Sequence, residues 1–341
     1  MINAAIVVDK DYSKNKIFDD TLNKTRFDGR SFKYISLRNE LINYGIKLNT
    51  YDLCNPLDTD IYIYLDAVNR IKVNNPKAKK FLIVIEPPSV YPNNHNELIV
   101  KKFDKIFTWS DSDVDDKKYF KYNFSYNLDS LKLNYMKKSR NKHSVMISRN
   151  KISNHKDELY SKRREIINWY EEYSPNDFDL YGKGWDEFKI QSFPLTYLNR
   201  FSILGKFINK LFSKNLNTFK GEIRSKSQIL PNYNFSFTYE NIENIEGYIT
   251  EKIFDSFFSL TIPIYRGANN IKEFIPSEIF IDSNEFDSIA EIDSYIKSFN
   301  NSKIIKTRDD IIDFLSSKKS KIFCANYNAR IIAKHIYESI R

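Results

Sequence analysis

A lysine at the start of a predicted helix, Lys252, is the side chain with the clearest capacity to bind a charged ligand. It comes just after Thr250, which is predicted to be the helix N-cap. Free N–H groups at a helix N-terminus attract anions, whereas a cation in the first turn opposes the helix dipole. A bound phosphate group would therefore explain Lys252. The alternative interpretation is a lysine on a solvated surface.

The sequence around Lys252 predicts a strand, a helix and a second strand, in that order. Aromatic residues alternate along residues 233–239, apolar residues recur at helical spacing over 253–260, and 261–265 is a short apolar run. In an open α/β sheet this order brings a strand end, a helix N-terminus and a loop together, where ligands usually bind. We therefore predict a ligand crevice at the N-terminus of this helix.

Three motifs in this region resemble those of a known family. They are FTYEN at residues 237–241, GYITEKIFDSFFSLTIPIYRG at 247–267 and KEFIP at 272–276. Together they resemble the donor-binding motif of the bacterial type of α-1,3-fucosyltransferase, glycosyltransferase family 10. The resemblance implies an inverting enzyme that transfers L-fucose from GDP-fucose to a hydroxyl of a GlcNAc-containing glycan. It also implies a role in bacterial surface polysaccharide or lipopolysaccharide synthesis, with an oligosaccharide or lipid-linked acceptor.

The same resemblance implies how the donor is held. Lys252 matches the pyrophosphate-binding lysine of the family. Tyr248 and Glu251 match positions near the ribose or the fucose, and Asn241 matches an asparagine of the donor pocket. Basic side chains would neutralise the charge that develops on the departing GDP. No cofactor is therefore expected, and a divalent metal would be at most stimulatory.

Relatives also contact phosphate through an arginine on the helix that follows the first strand of the second domain. This chain has two adjacent candidates there, Arg163 and Arg164. Only one of two neighbouring helix positions can point inward, and we predict that it is Arg163. The alternative for either arginine is a solvated helix face.

A candidate catalytic base, Glu86, lies at the end of the apolar run 81–85, which predicts a buried parallel strand. Inversion in a single displacement requires a base that takes the proton of the acceptor hydroxyl. The sequence EPPS at 86–89 resembles an acidic residue followed by Ser-Pro-Ser in the family, although Pro87 replaces the usual serine. Partial burial would raise the pKa of this carboxyl into a useful range. The alternative is a surface or helix-capping glutamate.

We predict no metal site in this chain. Asp111-Ser112-Asp113 looks like a metal-binding DxD motif, but family 10 members carry a similar sequence at this place without using it to hold a metal. The four histidines (His95, His143, His155 and His335) have no ligand spacing and are predicted to be structural or exposed.

The fold class predicted from the whole chain is α/β, with two Rossmann-like domains of the GT-B glycosyltransferase type. Its 341 residues suffice for two domains with full cores, and strand and helix signals alternate through both halves. Periodicity fades over residues 122–142, so we place the boundary there. We predict an acceptor-binding domain over 1–135 and a GDP-sugar-binding domain with C-terminal helices over 136–341.

Composition limits the partners and the compartment. The net charge is +9, but both signs are mixed and lysine abundance is typical of an AT-rich bacterial coding sequence, so we predict no nucleic-acid partner. Two cysteines that are far apart in sequence indicate reduced thiols in a cytoplasmic protein. The N-terminal apolar run is too short for a signal peptide. The sequence does not indicate an oligomeric state.

A basic amphipathic helix is predicted from Tyr197 to Phe212. Such a helix either packs on its own domain or lies on an anionic bilayer, here the cytoplasmic face of the inner membrane.

Two other functions remain open from the sequence. One is a GT-B enzyme that uses a different nucleotide-linked sugar, because substrates vary within one scaffold. The other is a noncatalytic protein that binds a glycan or a nucleic acid, although neither role explains the YITEK motif at residues 248–252.

Overall fold

The structure, a computed structural model, describes residues 1–19, 21, 31–68, 73–130, 140, 142–186 and 216–341. Within these residues the chain forms two parallel β-sheets, each with helices packed against it. The predicted amphipathic segment Tyr197–Phe212 lies outside the described residues. None of the helices in the described ranges is both long and apolar enough to cross a bilayer.

The first sheet has six parallel strands in the order β2-β1-β3-β4-β5-β6. Both faces of its central strands are covered, and their sequences are accordingly continuous apolar runs. Its helices are α1 (Phe32–Asn43) and the short α2 (Glu97–Val100). The strands are β1 (Ile2–Val7), β2 (Ile46–Thr50), β3 (Ile61–Leu65), β4 (Lys79–Ile83), β5 (Lys105–Thr108) and β6 (Tyr119–Lys121).

The second sheet has five parallel strands in the order β11-β10-β9-β7-β8. Its central strand is the predicted aromatic one, in which Phe235 pairs with Ser144 on one side and Ile262 on the other. The predicted order of strand, helix and strand is confirmed as β9, α5 and β10. The strands are β7 (Lys142–Ile147), β8 (Phe178–Tyr181), β9 (Tyr233–Tyr239), β10 (Ile262–Arg266) and β11 (Ile281–Asp282). The helices are α3 (Tyr160–Tyr173), α4 (Lys226–Ile229), α5 (Glu251–Phe258), α6 (Ile271–Phe274), α7 (Ile289–Lys297), α8 (Asn301–Ser316) and α9 (Ala325–Glu338).

The last helix, α9, returns to the first sheet. Its apolar stripe, which includes Ile332 and Ile336, belongs to the same buried cluster as Leu37 and Leu41 of α1. The two helices thus cover the first sheet together, although α9 lies within the range predicted as the second domain. The predicted boundary between residues 135 and 136 falls outside the described residues and stays a prediction.

The loop between β9 and α5 packs against the first domain. Tyr248 in this loop contacts Trp109, with ring centroids 4.5 Å apart, and Phe124, at 6.0 Å. Just before it, Gly247 has a φ of +79°, and a Cβ atom there would lie 2.3 Å from the carbonyl oxygen of Trp109. The loop therefore approaches the end of β5 too closely for any side chain at position 247.

Candidate active site

Lys252 in the first turn of α5 is held by a carboxylate. Its Nζ lies 2.8 Å from Oε2 of Glu240, the residue that follows β9. The Glu240 side chain is fully buried, and that of Lys252 is 19% exposed. Thr250 joins the pair, since its N–H and its hydroxyl donate to the same carboxylate at 2.8 Å and 2.7 Å. A lysine with these contacts is not a solvated surface residue.

Helix α5 begins at the predicted N-cap, Thr250, but the Thr250 side chain makes no cap hydrogen bond. Its hydroxyl bonds to Glu240 instead of accepting from an N–H group of the first turn. Thr250 therefore does not make the usual N-cap bond to the first turn of α5, and free N–H groups at a helix start can bind an anion.

Arg163 of α3 is buried, with 5% of its surface exposed. Its Nη2 donates to the carbonyl oxygens of Tyr239 and Glu240 at 2.7 Å and 2.6 Å, and to Oδ1 of Asn241 at 3.1 Å. Burial lowers the pKa of Arg163, and the nearby Tyr160 and Glu240 oppose that shift. Arg163 thus fixes the end of β9, where it lies beside Asn241.

Arg164 points elsewhere, since its Nη1 donates to the carbonyl oxygen of Lys151 at 2.8 Å. This bond fixes the loop that follows β7. The Lys151 side chain lies near Glu86 and Lys252, and these groups push its pKa in opposite directions while burial lowers it most. Lys151 is therefore a further cation at the site that sequence patterns did not single out.

Tyr248 and Glu251 occupy different environments beside Lys252. Tyr248 is 2% exposed, and burial raises its pKa, with added effects from the carboxylates of Glu240, Glu86 and Glu251. Glu251 has about a third of its side chain exposed, and its Oε1 lies 3.9 Å from Nζ of Lys252. The tyrosine is thus fixed between the domains, while the glutamate lies at the rim of the site.

Glu86 lies in the first domain, beyond the end of β4. Burial raises the pKa of its carboxyl most, the carboxylate of Asp66 raises it further, and the ammonium groups of Lys252 and Lys151 lower it. In the described residues no hydrogen bond to its side-chain oxygens occurs. The fold therefore brings Glu86 within electrostatic range of Lys252, although the two residues are far apart in sequence.

Asp66, which directly follows β3, is a second carboxylate at this strand edge that we did not predict. Its Oδ1 accepts from the N–H groups of Ile85 and Glu86 at 2.7 Å and 3.0 Å, and from Nδ2 of Asn94 at 2.7 Å. Its φ is +61°, a conformation that aspartate tolerates better than most residues. Asp66 could have been predicted from the sequence, because polar residues at the carboxyl ends of neighbouring parallel strands meet.

Substitution of Asp66 by asparagine is expected to shift the acidic limb of the activity profile to lower pH. The amide oxygen can still accept the N–H groups of Ile85 and Glu86, but the negative charge that raises the pKa of Glu86 is lost. The pH dependence of kcat for GDP release measures this shift. Asp104→Asn, at a surface ion pair with Lys79 in the same domain, is the control. If the acidic limb stays in place or moves to higher pH, the predicted role of Glu86 as the base, with a pKa raised by Asp66, is contradicted.

The Asp111-Ser112-Asp113 motif serves the contact between the domains. Oδ1 of Asp111 lies 2.6 Å from the ammonium of Lys121, and its Oδ2 accepts from Nδ2 of Asn270 at 3.0 Å. Asn270 in turn accepts the N–H of Gly247 at 2.9 Å. These bonds fix the loop that leads to Tyr248. In the part of the chain that the structure describes, no cluster of three or more His, Cys, Asp or Glu residues could hold a metal ion.

The two Rossmann-like sheets have the fold of solved two-domain glycosyltransferases of the GT-B type. Residues 200–306 match the family model for the C-terminal region of glycosyltransferase family 10 (fucosyltransferase). The resemblance stated from the three motifs and the predicted fold class are both confirmed.

Individual relatives agree with this placement. The chain is 38% identical over 88 residues to an α-(1,3)-fucosyltransferase of Helicobacter pylori, a match that covers 26% of this chain and 18% of that protein. It thus spans only a small part of the curated relatives' length. A crystal structure of an α1,3-fucosyltransferase with GDP-fucose has a TM-score of 0.51 at 16% identity, over 92% of this chain and 81% of that one. Anabaena HepE in complex with UDP and glucose has a TM-score of 0.56 at 9% identity, over 98% and 99%.

Proposed function

We propose that this protein is an inverting fucosyltransferase that transfers L-fucose from GDP-fucose to a hydroxyl of a GlcNAc-containing glycan. The observation that supports this proposal is that Glu86 of the first domain lies close enough to Lys252 of the second for the ammonium to lower the pKa of its carboxyl. The two groups supply the two requirements of a single displacement, a cation for the leaving group and a base for the acceptor.

The donor half of the site is built by β9, α3 and α5. The diphosphate of GDP would lie at the uncapped start of α5, beside the ammonium of Lys252 and near Arg163. Tyr248 and Glu251 would lie near the ribose or the fucose, and Asn241 would line the donor pocket. Because cations of the chain itself flank the diphosphate position, we propose that transfer needs no metal and that a divalent cation is at most stimulatory.

The acceptor half of the site is built by the ends of β3 and β4. Glu86 would take the proton of the acceptor hydroxyl while the hydroxyl oxygen forms a bond to the anomeric carbon of fucose. The bond from that carbon to the diphosphate breaks, and its electron pair leaves with GDP. Lys252 would stabilise the negative charge that appears on GDP at that moment.

The acceptor and the cellular setting are proposed on sequence grounds. The family resemblance supports a bacterial surface polysaccharide or lipopolysaccharide acceptor, oligosaccharide or lipid-linked, and a cytoplasmic site of action. Contact with the cytoplasmic face of the inner membrane is supported by the basic amphipathic pattern from Tyr197 to Phe212. Because positive and negative charges are mixed along the chain, we propose that nucleic acid is not a partner.

A GT-B enzyme with a different donor is the second candidate, because the fold is shared with a protein whose crystal structure contains UDP and glucose. A donor panel separates the two. We would incubate the purified protein with GDP-fucose, GDP-mannose or UDP-glucose and N-acetyllactosamine-type acceptors, with and without EDTA. GDP release and a fucosylated product, undiminished by EDTA, are expected. Turnover of another donor alone would refute the fucose assignment, and turnover of none would favour a noncatalytic protein.

A further inference from the structure

The most enclosed carboxylate near the donor position belongs to Glu240. None of its side chain is exposed. It receives the N–H of Thr250 at 2.8 Å, the hydroxyl of Thr250 at 2.7 Å and the ammonium of Lys252 at 2.8 Å. A buried carboxylate is stable only when hydrogen-bond donors or cations satisfy it. The side chains of Glu240, Thr250 and Lys252 therefore form one connected network.

The backbone of Glu240 is fixed from both sides. Its N–H donates to the carbonyl oxygen of Arg266 at 2.8 Å, and its carbonyl oxygen accepts from Nη2 of Arg163 at 2.6 Å. Gly267 leaves room for its side chain, since a Cβ atom at that position would lie 2.6 Å from Cγ of Glu240. Bonds to α3 and β10 therefore hold Glu240, and with it the carboxylate, in one place.

This fixed carboxylate determines where the Lys252 ammonium lies. An ammonium group has three N–H donors. One points to Glu240 at 2.8 Å, and a second points to the hydroxyl oxygen of Thr250 at 2.9 Å. Oε1 of Glu251, at 3.9 Å, is beyond hydrogen-bond distance, so the third N–H would be available to a ligand. A long lysine side chain with many rotamers is thus held in one orientation before any donor binds.

We infer that Glu240 is a positioning residue, a built-in counterion that holds Lys252 and the start of α5 against the diphosphate of the donor. This inference rests on the proposed function and deepens it. Glu240 positions the Lys252 ammonium and does not add to the affinity for the donor, because its negative charge repels the diphosphate that Lys252 attracts. Turnover and binding should therefore respond differently to its removal.

Substitution of Glu240 by glutamine tests this difference. The amide oxygen can still accept from Thr250, but the ion pair with Lys252 is lost. We expect kcat for GDP release to fall about tenfold or more, while the Kd of GDP by calorimetry stays within about threefold of wild type or becomes tighter. Asp293→Asn is the matched control, because that buried carboxylate pairs with Lys297 at 2.7 Å in the same domain. It should change neither quantity.

A double-mutant cycle with Lys252→Met separates positioning from a general structural role. Methionine keeps the aliphatic stem but leaves Glu240 buried without its cation beside the diphosphate. Adding Glu240→Gln to Lys252→Met should therefore restore GDP affinity about tenfold and leave turnover low. A double variant that binds GDP more weakly than Lys252→Met would overturn the inference.

The cycle also distinguishes this inference from the proposed function. Wild-type protein that binds no GDP would refute the donor assignment and the role of Glu240 together. Wild-type protein that binds GDP and releases it from GDP-fucose, with Glu240→Gln behaving identically, would refute only the role of Glu240. Loss of folding in both Glu240→Gln and the double variant, seen by circular dichroism, would assign Glu240 a structural role and overturn the inference.

Discussion

Replacement of Lys252 by methionine is expected to lower kcat for fucose transfer about 100- to 1,000-fold, the range for loss of one preorganised group that stabilises developing charge. The expectation follows from the position of the ammonium at the uncapped start of α5, where it is held by Glu240 and Thr250. The charge that it would neutralise appears on GDP only as the bond to fucose breaks. Steady-state release of GDP from GDP-fucose measures the loss.

The matched control for this variant is Lys272→Met. Lys272 lies in the same domain and is also paired, with Asp282 at 2.9 Å and Glu285 at 2.7 Å, but its ammonium is on the surface. It should transfer fucose at the wild-type rate. Near-normal turnover in a folded Lys252→Met variant would refute the leaving-group role of Lys252.

Much of the fold followed from local patterns. The apolar run 81–85 predicted β4, which lies two residues earlier at Lys79–Ile83, and the alternating aromatic residues of 233–239 predicted β9, because each pattern matches the period and burial of a strand. The packing of α9 against the first sheet could not be predicted from local sequence patterns. Its amphipathic stripe predicts that one face is buried, but helical spacing contains no information on which sheet will cover that face.

The site was predicted less completely than the fold. Lys252 was found because its place at a helix start is a local property. Glu240 and Asp66 were missed because their importance comes from partners that only the fold brings together, such as Lys252 for the first and the N–H of Glu86 for the second. A strand-end carboxylate is visible in sequence, but whether it is buried and paired is not.

The contact between the domains was the least predictable feature. Asp111, Lys121 and Asn270 are spread over the chain, and their bonds exist only when the loop before α5 reaches the end of β5. Asp111-Ser112-Asp113 stood out in the sequence only because it resembles a metal-binding motif, and its bond to Asn270 could not be predicted. Motif spacing identifies residues that are able to do chemistry, whereas the fold decides which partner each one meets.

Replacement of Glu86 by glutamine is expected to lower kcat for transfer about 100- to 10,000-fold, the usual contribution of a general base. Glutamine has nearly the same shape but cannot accept the proton of the acceptor hydroxyl. The Kd of GDP should change little, because the diphosphate position lies across the cleft at α5. Transfer kinetics and calorimetry with GDP measure the two quantities separately. Glu97→Gln, an exposed glutamate of α2 in the same domain, is the control.

The pH dependence provides the sharper test of Glu86. Burial and the carboxylate of Asp66 raise the pKa of Glu86 above its ordinary 4.5, so it loses its proton later as the pH rises. Wild-type kcat should therefore fall on acidification at a higher pH than an ordinary glutamate would give, because a protonated Glu86 cannot act as a base. The residual activity of Glu86→Gln should lack this acidic limb. If the limb persists in the variant, another group is the base, and Glu86 only shapes the acceptor side of the cleft.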